Sequence, residues 1–339
     1  MRRPTVWLNK GLSSTFDVVE LLRATGDEFR VVCSHTDPDV PAARACHVFE
    51  TEPKRLGEAA YLDYCLDFAN RHAVDVFIPG KMLGAIVRER GRFADLGVRL
   101  IAAGEADTLK LVDDKAALYA SLPAGLVPVP DFEVVRDLAG FDAAYAWLRE
   151  RHPVICFKPA VSIFGLGFRR VTESEGLLDR LLGGESYTVS LKDARRAFAE
   201  RPTFKPLIVM EFLAGAERSV DCLARRGELV RCVVRKKTDA TDGPQLLEAN
   251  PHVESMTRRL TGHLRLDGLF NVQFRDRGDE PHLLEINPRM SGGLFYACHS
   301  GVNFPVWAVR LALGTASPGD VPQPETGFCV TKVNRAVRR

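Results

Sequence analysis

The sequence predicts an α/β protein in which an open parallel sheet is followed by two lobes of mixed helix and strand. Short apolar runs alternate with helical patterns over residues 1–104, as in strands joined by crossover helices. Prolines at 123, 128 and 130 then break the pattern and mark a boundary. From residue 206 onward the runs are longer and strand-like, and they end in a pair separated by a turn sequence.

Taken in order, PTVWLN (4–9), FRVVCS (29–34), VDVFIP (74–79) and VRLIAA (98–103) are predicted strands. Val18, Leu21 and Leu22 keep helical spacing between the first two, with Ser14 a candidate N-cap. Residues 55–71 and 82–96 supply further amphipathic helices, and a helical linker runs from Glu105 to about Leu122. The turn after the first strand, Asn9 to Ser14, carries one glycine and not the G-x-G-x-x-G of a dinucleotide site. A strand at FEVV (132–135), a helix near 140–151 and a strand at 154–160 follow, with helices expected near 173–183 and 190–200. The remaining strands are 206–213, 219–225 and 229–237, then a helical stretch at 253–266, then 269–276 and 281–288. Arg277-Gly278-Asp279-Glu280 joins the last two as a hairpin turn. The expected divisions are 1–104, a linker at 105–130 that begins the next region, a small lobe at 131–205 and a C-terminal lobe at 206–339.

A length of 339 residues suits two to three domains, and a net charge of +2 argues against a general electrostatic footprint for nucleic acid. The 8 cysteines form no C-x-x-C pair and mostly sit in apolar runs, which suits reduced, buried thiols in a cytoplasmic protein. No run approaches the roughly 20 apolar residues of a membrane span.

The chemistry is concentrated in the final hairpin. Glu285 and Asn287 are two apart and share a strand face, and Gln273 on the partner strand is expected beside them. Three oxygen donors on one face suit Mg²⁺, which leaves positions for phosphates and water. Both residues lie in HLLEINP, where a buried carboxylate calls for a cation. Arg289 follows, able to grip a phosphoryl or carboxylate group, and Ser291-Gly292-Gly293 keeps bulky side chains away.

GLFNVQF (268–274) with HLLEINPRMSGG (282–293) resembles the metal hairpin of ATP-grasp enzymes. The Gln-Glu-Asn set is most similar to the carbamoyl phosphate synthetase large chain, whereas biotin carboxylases and many other relatives have Glu at the position of Gln273. The resemblance implies a Rossmann-like pre-ATP-grasp domain over 1–104 and a two-lobed α+β ATP-grasp region after it. It implies that Gln273 and Glu285 hold one Mg²⁺ and that Glu285 with Asn287 holds a second, Mn²⁺ being an alternative. Lys115 and Lys158 match the family's two phosphate lysines. The loop from Ala160 to Gly167 matches its glycine-rich flap, with only Ser162, Gly165 and Gly167 of the small residues present. VMEFLAGAERSVD (209–221) resembles the adenine hinge: Glu211 and the backbone at Phe212 and Leu213 would read adenine, and Glu217 the ribose. Arg235 and Arg289 are expected near the γ-phosphate or acyl group, and Lys236 and Lys237 at a solvated edge.

The activity so implied is Mg-ATP-dependent joining of a small-molecule carboxylate and an amine through an acyl phosphate, releasing ADP and phosphate. A phosphotransferase without ligation and a non-catalytic ATP-binding regulator are the rival expectations. No nucleic acid or membrane partner is expected, and a homodimer is left open.

Overall fold

A computed structural model describes residues 2–11, 14–26, 28–162, 166–173, 187–238 and 243–333. The expected helix at 173–183 and the flap residue Gly165 lie outside these residues. In chain order the first elements are β1 Thr5–Leu8, α1 Thr15–Arg23, β2 Arg30–His35, α2 Ala42–Ala45, β3 Val48–Thr51, α3 Glu58–Arg71, β4 Val76–Ile78, α4 Leu83–Arg88, α5 Arg90–Asp95 and β5 Arg99–Leu100. The next are α6 Ala106–Asp113, α7 Lys115–Ser121, β6 Phe132–Val135, α8 Leu138–Arg149, β7 Ile155–Pro159, β8 Arg169–Thr172, β9 Thr188–Ser190, α9 Leu191–Phe198 and β10 Leu207–Glu211. The last are β11 Glu217–Arg225, β12 Glu228–Lys237, β13 Gln245–Glu248, α10 Pro251–His263, β14 Gly268–Arg277, β15 Glu280–Asn287, α11 Leu294–Cys298, α12 Phe304–Leu313 and β16 Phe328–Val330.

The fold is α/β, as predicted. Its first sheet has the order β3-β2-β1-β4-β5 and is parallel throughout. Its inner strands are short and largely buried, because a parallel sheet is covered on both faces. The second sheet, β6-β10-β7-β8-β9, is antiparallel except where β8 meets β9. The third runs β15-β14-β11-β12-β13-β16.

Two compact units group these elements. The first takes Met1–Lys110, Ala216–Gln273 and Ile286–Arg339; the second takes Leu111–Gly215 and Phe274–Glu285. In the first unit a single apolar core joins Val6, Val18 and Leu22 of the N-terminal layer to Leu223, Val233 and Leu269, with Phe304 and Val309 of α12 in the same cluster. In the second, Phe141 and Leu148 of α8 pack on Ile155, Phe157 and Val209. Cys33, Cys65, Cys156, Cys222 and Cys232 are free buried thiols. Among the described residues no helix is long and apolar enough to cross a membrane.

Candidate active site

In the second unit, α7 begins at Lys115 because Asp114 caps it, its carboxylate accepting from the main-chain N–H groups of Ala116 and Ala117 at 3.0 Å. Capping fixes the first turn and sets Lys115, only 5% exposed, with its ammonium 3.2 Å from a carboxylate oxygen of Glu285. The same ammonium donates to the carbonyl of Ser162 at 3.1 Å. Lys158 lies on β7, opposite Ile208 of β10, and its Nζ reaches the carbonyl of Leu284 at 3.5 Å. Burial pushes the Lys158 ammonium down to about 8; the Glu285 carboxylate opposes that shift and the nearby Lys115 charge adds to it. Lys115 therefore pairs with the Glu285 carboxylate at the end of β15, and the Lys158 ammonium, on the neighbouring Leu284 carbonyl, lies within reach of both charges. Tyr119 donates to the Leu284 carbonyl at 2.6 Å, and burial holds its phenol well above its ordinary range. Gly167, at the far end of the expected flap, has φ +82°, and a Cβ there would lie 2.8 Å from the Pro159 ring.

The hinge residues divide their groups differently from the expectation. The Glu211 carboxylate, in a residue 3% exposed, accepts from both Arg277 and the main-chain N–H of Asp131 at 2.9 Å, and lies 3.3 Å from His152 Nδ1. Its charge is neutralised inside the unit by Arg277. The Phe212 N–H donates to the carbonyl of Val154 at 2.9 Å, so that donor belongs to the sheet. The Phe212 ring lies under the guanidinium groups of Arg170 and Arg275, at 5.7 and 5.3 Å from the centroid. Leu213 is buried. Asp131, His152 and Glu211 could by composition hold a metal ion, but Arg277 already supplies their cation.

In the first unit, Glu217 pairs with Lys237, so Lys237 is not the solvated edge residue expected. The register that sets Arg218 opposite Lys236 carries Glu217 to Lys237 across β11 and β12. Arg235 is also placed otherwise than expected. It is 2% exposed, and its guanidinium donates to Asp221 at 2.7 Å, to Gln245, to Ser219 at 3.0 Å and to Ser291 at 2.9 Å. A guanidinium so engaged is satisfied within the protein, and the expected phosphate contact gives way to a structural one. Gly293 makes room for it, since a Cβ there would be 2.7 Å from Arg235 Nη1. The small residues after Arg289 thus serve Arg235 and the turn. Arg289 itself donates to Asn287 Oδ1 at 3.3 Å and to the Met290 carbonyl at 3.0 Å. Glu285 and Asn287 both lie on β15, and Gln273 lies on β14, each partly buried.

Sequence reading missed Asp221, Arg277 and His152. Asp221 carried a signal: a carboxylate in the apolar run SVDCLA requires a buried partner, and Arg235 stands in a similar run.

Comparison with known proteins shows what part of the chain is similar to. Residues 203–336 match the family model for ATP-grasp in the biosynthetic pathway with Ter operon. The carbamoyl phosphate synthase large chain of Thermus thermophilus is 27% identical over 234 residues, which are 65% of this chain and 21% of that protein. The chain therefore spans about a fifth of the length of that relative. Among solved structures, an N5-carboxyaminoimidazole ribonucleotide synthetase in complex with ADP superposes with TM-score 0.68 at 14% identity, covering 97% of this chain and 80% of that one. An L-amino acid ligase from Bacillus licheniformis gives TM-score 0.65 at 14% identity, covering 96% and 78%. At such identities the likeness establishes the fold.

Proposed function

We propose that the chain is an ADP-forming ligase, activating a small-molecule carboxylate with ATP and passing the acyl group to an amine; the match of residues 203–336 to an ATP-grasp family model supports this reading. The observation that carries this reading is the Lys115–Glu285 ion pair with the Lys158 ammonium beside it, held on the Leu284 carbonyl and sensing both charges. Two ammonium groups near a single carboxylate suit a ligand of several negative charges, which a triphosphate is.

In this reading Lys115 and Lys158 bind phosphate oxygens, and the main chain at Ser162 and Gly167 flanks them. The Phe212 carbonyl and the main chain of Leu213 read adenine, and Glu217, oriented by Lys237, accepts from the ribose hydroxyls. Gln273, Glu285 and Asn287 offer only oxygen donors, a set that fits two Mg²⁺ ions. When bound, these ions would neutralise phosphate charge and so favour departure of the γ-phosphoryl group. Arg289, whose head is oriented by Asn287, holds the acyl group, and Arg235 keeps the turn after Arg289 in place. Attack of the carboxylate oxygen on the γ-phosphorus breaks its bond to the β–γ bridging oxygen, giving an acyl phosphate and ADP. An amine then attacks the acyl carbon, phosphate leaves, and the amine loses a proton to give the amide. The chain contributes mostly positioning and charge neutralisation. The L-amino acid ligase from Bacillus licheniformis supports a ligase outcome for a chain of this fold.

The test is a carboxylate screen with ATP, Mg²⁺ and hydroxylamine in place of the amine. A hydroxamate with stoichiometric ADP is expected, and Glu285→Ala should lower its rate by at least about 10²–10³. AMP as product, or ADP with a stable phosphorylated compound and no hydroxamate, would refute the ligase reading.

A further inference from the structure

The first unit contains a cavity of ≈ 360 Å³ to which neither the nucleotide nor the carboxylate reading assigns a role. Arg90, Arg99, Arg225 and Arg226 line it, and Ala94, Leu100, Ala224 and Ala308 are among its apolar lining residues. We propose that this cavity binds a phosphate-bearing small-molecule anion of two or more charges, held by these four arginines.

The charge balance is the first ground. Asp267 is the one acid of the lining, and its Oδ1 accepts from the main-chain N–H groups of Arg226 at 3.1 Å and Gly268 at 2.9 Å. Among the described residues the side chains of Arg99, Arg225 and Arg226 make no hydrogen bond or ion pair. Arg90 has only Glu105, at 3.6 Å from Nη2, and that carboxylate is largely exposed.

The second ground is an unsatisfied donor on one lining arginine, Arg90, beside Arg99 and Arg226, which are exposed. Arg90 Nε is closed off from solvent and has no hydrogen-bond partner. A buried donor left so is costly and calls for an acceptor. The third is backbone. Arg226 and Gly227 form the two-residue turn between β11 and β12, with φ +52° and +85°. Such turns favour Asn, Asp or Gly at the first position, so an arginine there is a costly choice that points to a use for its side chain. Phosphate matches this set better than a single carboxylate does, since the guanidinium fork engages phosphate oxygens in pairs and four arginines are among the lining residues. The small apolar side chains leave space for the carbon skeleton of such a ligand.

Calorimetric titration of inorganic pyrophosphate into full-length Lys158→Met chain tests the site with the proposed triphosphate site weakened. The parent chain saturated with a non-hydrolysable ATP analogue serves as a second arm. Saturable 1:1 binding is expected, weakened about tenfold by Arg99→Ala and by Arg226→Ala. Arg201→Ala, which removes the same charge from an exposed position in the other unit, should leave affinity unchanged. Thermal melts of each variant confirm folding. Absence of binding in both arms, or equal losses for all three arginine variants, would overturn the proposal. It stands apart from the ligase reading, because hydroxamate formation and pyrophosphate binding are separate measurements on separate residues.

Discussion

At Lys158 burial and charge act in opposition, and the balance sets a pH window. The ammonium titrates at about 8 instead of its ordinary 10.5, first because burial penalises the charge, with Glu285 resisting and Lys115 reinforcing. Between these values the unfolded chain binds more protons than the folded one, so this group's contribution to stability improves as pH rises from about 8 to 10.5. Below about 8 the penalty is fully present. A bound triphosphate reverses the preference, because it needs the cation. The affinity of a non-hydrolysable ATP analogue should therefore fall as pH rises through about 8, and Lys158→Met should bind more weakly with that step removed. Titrations at pH 7, 8 and 9 check it; the same step in the Met variant would assign the titration to another group. Arg235 shows the opposite condition, a charge whose acceptors all come from the protein and whose role is to hold a turn.

A strand can be read from sequence when its environment is uniform along its length, and the elements here divide on that line. β1, β2, β4, β7 and β10 are apolar because they are covered, and each lies within or beside its predicted span. β3 is a partly exposed edge strand of 4 residues, too short and too polar to stand out. The helices predicted over 82–96 and 105–122 are each broken once, at Glu89, which makes no side-chain cap, and at Asp114, whose carboxylate caps the helix that follows. Lys115, Lys158 and Glu285 were legible as charges among apolar neighbours. The Glu217–Lys237 pair was not, because cross-strand register is set by the turn and the partner strand. The start of β14 gives a test at this level. Gly268 has φ +54°, and a Cβ there would lie 2.9 Å from the Ala102 carbonyl oxygen. Gly268→Ala combines a left-handed backbone with a clash against main chain, and should destabilise by about 1–3 kcal/mol. Urea denaturation would measure this, and a loss within error of zero would show that the turn relaxes freely.

At the scale of the molecule, the chain is divided in sequence at about residue 104 but not in packing. The N-terminal layer and the segments after residue 216 share one apolar core within the first unit, where Val6, Val18 and Leu22 cluster with Leu223, Leu269 and Phe304. Polar contacts reinforce it: Asn303 donates to the Leu21 carbonyl at 2.8 Å, Arg310 pairs with Glu28 at 2.6 Å, and the Asp267 N–H donates to the Ala103 carbonyl at 3.1 Å. Burial of apolar surface is the main favourable term in folding, and a core that loses one wall exposes the other. α12 would suffer most, since Phe304, Val306 and Val309 pack in that cluster and would meet water. A chain beginning at residue 105 should therefore fail to fold cooperatively even though it keeps Lys115, Lys158, Gln273, Glu285 and Asn287. The expected signs are a broad, non-sigmoidal urea transition, strong binding of a hydrophobic dye and no measurable affinity for a non-hydrolysable ATP analogue with Mg²⁺. A fragment 105–339 that melts in a single sharp transition near the temperature of the full chain would show that the N-terminal layer is a separable domain, and that the shared core contributes little to holding α12 in place.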